Sequence, residues 1–146
     1  MIVGEVRGPE VTAMMQAMQA GAGSMSTIHA NSPSETIERI AVLLSKGINA
    51  SDDFGYKLIG QHIDIIVQLS NYLDGGRTET RFISEISMLL PGEGSRPIAQ
   101  PVFKAEPGTS RAHPAVLPPD DKLTELEHVG FDRTWLLNRE GRRYGQ

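Results

Sequence analysis

Two short apolar runs, each closing on a polar side chain fit for chemistry, limit what this chain can fold into more than any other feature. The first is Met1-Ile2-Val3-Gly4-Glu5-Val6-Arg7-Gly8-Pro9-Glu10, and it presents a glutamate. The second is Gly23-Ser24-Met25-Ser26-Thr27-Ile28-His29-Ala30-Asn31-Ser32, and it presents a histidine. About one helix lies between them. That spacing predicts neighbouring strands of an α/β sheet with their carboxyl ends at one edge, where ligands of open α/β sheets bind.

The intervening stretch supports this reading. Val11, Met14, Met15 and Met18 recur at helical spacing between Pro9-Glu10 and Gly21, which suit a helix start and a helix end. The methionines form a core stripe rather than an adaptable binding face. After the second run, Ser32-Pro33-Ser34-Glu35 reads as a capping box with proline in the first helical position. Ile37, Ile40, Ala41 and Leu44 give that helix one apolar face, and Lys46-Gly47 is its expected end. A further helix is expected after Ser51-Asp52-Asp53, using Phe54, Leu58 and Ile59.

Beyond it the period changes from helix to strand. Residues 63–69, with His62 at their start, and 77–86 alternate as strands around a loop with Asp74-Gly75-Gly76, so a hairpin is expected. A last strand is expected over 98–103. Residues 105–121 are rich in Pro, Gly, Ser and Asp and read as a linker, and 122–146 as a short helical tail in which Trp135 packs. The main folded part is thus expected over residues 1–104.

Bulk properties narrow the class. At 146 residues the chain is sized for one domain. Aromatics are only 5%, so the core must rest on Ile, Leu, Val, Met and Ala. The net charge of −4 falls within residues 1–90, and residues 91–146 are neutral. A nucleic-acid clamp needs a basic face, so no nucleic-acid partner is expected. The basic run Arg139-Glu140-Gly141-Arg142-Arg143 reads as a solvated end. There is no cysteine, hence no disulfide framework or thiolate metal site. No stretch reaches the ~20 apolar residues of a membrane span, and no signal peptide is visible. The expected location is the cytoplasm.

The residues that carry chemistry follow from placement. An acid at the carboxyl end of a buried strand is costly unless it is paired, hydrogen-bonded or working. In phosphate-transfer enzymes an acid there holds a metal or orients water, which is one reading of Glu5. His29 either donates to a terminal phosphate or is satisfied by backbone carbonyls. Arg7 and Arg39 either reach a phosphate or a neighbouring subunit, or are surface ion-pair partners. No His/Asp/Glu set has zinc spacing, and no nucleophile elbow occurs.

These residues together resemble the type II/IV secretion ATPases, with VirB11, CpaF and TadA as the nearest branch. The resemblance is dense over residues 2–45, fair over 61–90 and faint after 104. It implies an α/β fold: a partial P-loop NTPase, RecA-like sheet with flanking helices, a small β-hairpin region and a loosely structured carboxyl-terminal tail. It implies ATP and Mg²⁺ as cofactors and ATP hydrolysis for type IV secretion, conjugation or Tad/Flp pilus assembly. Glu5 resembles the Walker B glutamate, which positions water and supports Mg²⁺ indirectly, and His29 the His-box histidine. Arg7 and Glu10 continue the Walker B signature, and Arg39 resembles an arginine after the His box. All three are nucleotide-binding or subunit-contact candidates. The resemblance further implies a hexameric ring at the inner face of the cytoplasmic membrane, working with inner-membrane secretion or pilus platform proteins.

The chain departs from this pattern in one decisive respect. It contains no Gly-x-x-x-x-Gly-Lys-[Ser/Thr], so the cradle of N–H groups and its lysine are missing. The turn Gly21-Ala22-Gly23 is also shorter than the family loop. The chain therefore reads as the carboxyl-terminal half of a motor domain, starting at Walker B and inactive alone. Two other readings compete. One is a non-catalytic module docking on a full-length homologue. The other is a DNA-binding helix-turn-helix over 32–60, which Glu35, Glu38, Asp52 and Asp53 oppose against Arg39, Lys46 and Lys57.

Overall fold

The computed structural model describes residues 2–20, 23–49, 51–74 and 78–137. The elements run β1 (Ile2–Glu5), α1 (Val11–Gln19), β2 (Met25–Thr27), α2 (Pro33–Ile48), α3 (Asp52–His62), β3 (Ile65–Asp74), β4 (Thr78–Leu90), β5 (Ile98–Ala105), β6 (Ala112–Pro114), α4 (Asp120–His128) and α5 (Thr134–Leu137). They form a parallel two-stranded sheet, β1-β2, and a four-stranded sheet in the order β3-β4-β5-β6. The expected α/β class with a β-hairpin region is what the chain adopts. The hairpin turn Gly75-Gly76, like the turn residues Gly21 and Ala22, lies outside the described residues.

The chain divides into two compact units. The first comprises residues 1–66 and 88–100. Its core joins Val6, Val11, Met14, Met15, Ile37, Ile40, Ala41, Leu44, Ile59 and Ile66, with Val3, Met18 and Ile28 packed against it. The stripes read for α1 and α2 are therefore the faces that are buried, whereas on α3 Ile59 is buried and Phe54, expected beside it, stays exposed. β1 and β2 pair Ile2 with Met25, Val3 with Ser26 and Glu5 with Thr27, with an irregularity between Val3 and Glu5. The last rung is the Val6 N–H donating to the Thr27 carbonyl at 2.8 Å.

α2 starts as its capping sequence dictates. The Ser32 hydroxyl accepts from the Glu35 N–H at 3.1 Å, and the Glu35 carboxylate reaches back to the Asn31 N–H at 2.9 Å. Its end differs from expectation. The helix passes through Gly47 to Ile48 and closes on Asn49, which takes the left-handed conformation at φ 52°. Asparagine tolerates that region because its side chain bonds locally. His62 likewise ends α3 rather than opening a strand.

α3 lies close to α2 because Gly55 has no side chain. A Cβ there would meet the Ala41 carbonyl oxygen at 3.2 Å and its Cα at 3.3 Å. The loop between β4 and β5 is tied to the same helices. Arg96 forms an ion pair with Glu38 and sits over the Tyr56 ring, and the Ser95 hydroxyl donates to Asp53 at 3.0 Å.

The second unit comprises residues 67–87 and 101–146. Its buried residues include Ser87, Val102, Leu123 and Leu136. Glu85 accepts from the Ser87 hydroxyl at 2.6 Å and pairs with Lys104 at 3.2 Å. Within the segment expected as a loose linker, β6 pairs antiparallel with β5, matching Phe103 to Pro114 and Ala105 to Ala112. α4 and α5 are held by Arg133, which donates to both carboxylate oxygens of Glu127 at 2.5 and 2.8 Å. Phe131 meets Trp135 edge to face.

Candidate functional site

The site forms where β1 and β2 end. A parallel pairing brings two carboxyl ends to the same edge, and here those ends carry Glu5 and, two residues past β2, His29. The His29 Nε2 lies 2.8 Å from the Glu5 Oε1. On the other carboxylate oxygen, the Arg7 guanidinium lies 2.6 Å from Oε2. Both oxygens of Glu5 are thus engaged by donors from different strands.

These groups are open to solvent. The side chains of Arg7 and His29 keep 70% and 78% of their exposure, and Glu5 keeps 31%. An incoming ligand could reach all three. The Glu5 carboxyl is held below the ordinary glutamate range, first by the hydrogen bond from Arg7; desolvation opposes this, and the nearby charges of Arg7, His29 and Arg39 add to the lowering. It is an ionised carboxylate at neutral pH. Arg7 is correspondingly held more firmly in its charged form by Glu5.

Glu10 stands just before α1 and bonds the turn that precedes it. Its Oε1 accepts the N–H of Arg7 at 2.5 Å and that of Gly8 at 2.9 Å. These bonds hold its carboxyl below the usual range, with the Arg7 N–H the largest cause. Sequence reasoning singled out Glu10 by its place in a motif. Its grip on the preceding turn had no sequence signal, because it depends on the path of the chain through Gly8-Pro9.

Arg39 lies on the exposed side of α2, and its charge is felt at Glu5. The Ser26 hydroxyl donates to the Gly4 carbonyl at 3.0 Å and braces the two strands just behind the site. Among the described residues no group of three or more His, Cys, Asp or Glu side chains could hold a metal on its own. No helix among them is long and apolar enough to cross a membrane.

The chain is similar to several known proteins. Two curated relatives from two strains of Mycobacterium tuberculosis, each named "Putative conjugal transfer protein", are 32% identical over 110 residues, which is 75% of this chain and 30% of theirs. The chain thus spans under a third of the length of those relatives. Among solved structures, the VirB11 ATPase of the Brucella suis type IV secretion system, in complex with sulphate, matches with a TM-score of 0.51 and 25% identity. That match covers 60% of this chain and 26% of the other. The family described as "Type II/IV secretion system protein" matches residues 1–90, and the chain belongs to that family.

Proposed function

We propose that this chain supplies the Walker B and His-box part of an ATP-hydrolysing secretion motor. Glu5 orients the attacking water and supports Mg²⁺ from its outer sphere. His29 and Arg39 serve the terminal phosphate, and Arg7 holds Glu5 in place. The observation that carries this reading is the 2.8 Å contact between His29 and Glu5 across the tips of two parallel strands. An ionised carboxylate beside three cationic or donor side chains is the donor set that a metal–phosphate ligand requires. A single carboxylate also suits Mg²⁺, which keeps several waters and takes other ligands from phosphate.

Bound Mg-ATP would supply the electrophilic phosphorus; everything else falls to the side chains. Glu5, kept ionised by Arg7, can accept a hydrogen bond from water and draw a proton from it. His29 can exchange its bond to Glu5 for one to an anionic oxygen, which frees Oε1 for that water. The rest of the triphosphate needs a phosphate loop, and these 146 residues contain none. Turnover therefore requires another stretch of polypeptide. In that setting the motor would act as a hexameric ring against inner-membrane secretion, conjugation or pilus platform proteins.

A second reading, a non-catalytic module docking on a full-length homologue, draws support from the β1-β2 sheet. Ile2 is 83% exposed and its register partner Met25 66%. Parallel strands are normally covered on both faces.

A Mg-ATPase assay tests the first reading. The isolated chain should show no turnover. Fusing it behind a phosphate-loop segment of a type II/IV secretion ATPase should restore turnover, and Glu5→Gln should remove at least ~100-fold of it. Turnover by the isolated chain, or a fusion indifferent to Glu5→Gln, overturns the proposal. Inactive fusions with isolated chain that still lowers the turnover of a full-length homologue would favour the docking module.

A further inference from the structure

We propose that Glu10 is a positioning residue for the Glu5 carboxylate, acting through the backbone of Arg7 and Gly8 and the guanidinium of Arg7. The inference deepens the reading of Glu5 given above and rests on it. It begins where strand pairing stops. Val6 donates the last rung to Thr27, so the next two N–H groups, those of Arg7 and Gly8, have no strand to bond. Glu10 turns back and takes both on one oxygen, Oε1, at 2.5 and 2.9 Å.

The consequence passes to Arg7. Its side chain leaves a backbone that Glu10 has fixed and ends on Glu5 Oε2 at 2.6 Å. An exposed arginine normally loses much of the benefit of an ion pair to the ordering of its long side chain. Anchoring its backbone removes part of that cost. Arg7 in turn keeps one oxygen of Glu5 occupied, leaving the oxygen shared with His29 as the one that can change partners. The chain from Glu10 to Arg7 to Glu5 thus sets which face of the carboxylate is available.

The competing explanation is that Glu10 merely places a negative charge at the start of α1, where the helix dipole favours it. The two explanations predict opposite orders for conservative variants. Glu10→Gln keeps an oxygen at the same reach but loses the charge. Glu10→Asp keeps the charge but is one methylene too short.

The test uses the whole 146-residue chain, isotopically labelled, without nucleotide. Hydrogen exchange of the Arg7 and Gly8 amides and the resolved Nη signals of Arg7 are followed by NMR, with the Ile40 and Leu44 amides of α2 as the control for folding. Positioning predicts that Glu10→Ala and Glu10→Asp speed exchange at Arg7 and Gly8 about tenfold and merge the Arg7 Nη signals. Glu10→Gln should stay within about threefold of the parent. If Glu10→Asp behaves like the parent while Glu10→Gln behaves like Glu10→Ala, the proposal is overturned. It is equally overturned if Arg7 is unmoved in all three variants. Should Glu10→Ala lose the α2 control, the Gln and Asp variants decide. No ATP enters this experiment, so its failure leaves the hydrolysis reading to be judged by its own assay.

Discussion

Carboxylates held by arginine recur in two places along this chain, at Glu5 and Glu127, and they show what side-chain pairing can and cannot do here. At Glu5 the pairing keeps a carboxylate ionised at the tips of two parallel strands. At Glu127 it closes a helical turn, because Arg133 grips both carboxylate oxygens and reaches Asp120 at 3.8 Å. Arg133 holds the Glu127 carboxyl below its ordinary range. A depressed folded-state pKa means that the pair stabilises the fold above the unfolded pKa. That stabilisation is lost as pH falls through the folded value. Acid titration below the usual glutamate range should therefore loosen the α4–α5 connection and shift the emission of Trp135, the only tryptophan, which packs on Phe131 nearby. In Arg133→Gln the acid-dependent shift should move to higher pH or vanish. An identical titration curve in parent and variant would show that the clamp does not govern this turn. The sequence marked Glu5 and His29 because each follows an apolar run, a pattern that survives in one dimension. It could not mark the partnership of Arg133 with Glu127, which needs the chain to reverse through Gly130.

The helices were legible where their signals are local. Ser32, Pro33 and Glu35 fix the start of α2 with bonds that span no more than four residues. Its end lies beyond the expected Gly47, since glycine is the commoner terminator and Asn49 carries a weaker signal. The closeness of α2 and α3 was not legible at all, because Gly55 looks like any helix-weakening glycine until Ala41 is placed against it. That contact yields a paired prediction within one helix. Replacing glycine by alanine in a helix interior gains about 0.8–1 kcal/mol. At Gly55 the added methyl would press on the Ala41 backbone at 3.2 Å, which a helix cannot readily yield, and overpacking of this kind costs roughly 1–3 kcal/mol. At Gly60, in the same helix, a Cβ would meet only Pro97 at 3.6 Å, an ordinary contact. Urea unfolding should therefore find Gly55→Ala destabilised by up to about 2 kcal/mol. Gly60→Ala should be neutral or stabilised by up to about 1 kcal/mol. Equal effects at the two sites would mean that helix propensity alone governs, and that the α2–α3 approach is soft. Strands were harder to bound. β3 and β4 run longer than their alternating cores predict, and β6 is three residues whose pairing to β5 leaves no periodic trace.

Across the whole molecule, the placement of charge decides which class of partner the helices can serve. α2 and α3 follow each other as a helix-turn-helix does, and their sequence alone leaves that resemblance standing. The fold alters the balance further against it. The cation nearest the pair from outside, Arg96, is spent on Glu38, and Arg39 lies within reach of the Glu5 field. The first turn of α3 carries Asp52 and Asp53, where a DNA-reading helix would present donors to phosphate. The chain as a whole is at −4. Each phosphate contact in a duplex complex needs a cation to displace a condensed counterion, and that term supplies nearly all non-specific affinity. With Lys46 and Lys57 as the remaining basic residues on these helices, at most about two such contacts could form, too few for non-specific binding at physiological salt. A duplex-DNA gel shift at low and at physiological ionic strength should accordingly show no retarded band at micromolar protein. A band that fades steeply with salt would mean that a basic surface exists outside these helices, with the arginines at 139–143 the first to replace by glutamine. A band that resists salt would contradict the electrostatic argument itself and return the helix pair to consideration as a nucleic-acid reader.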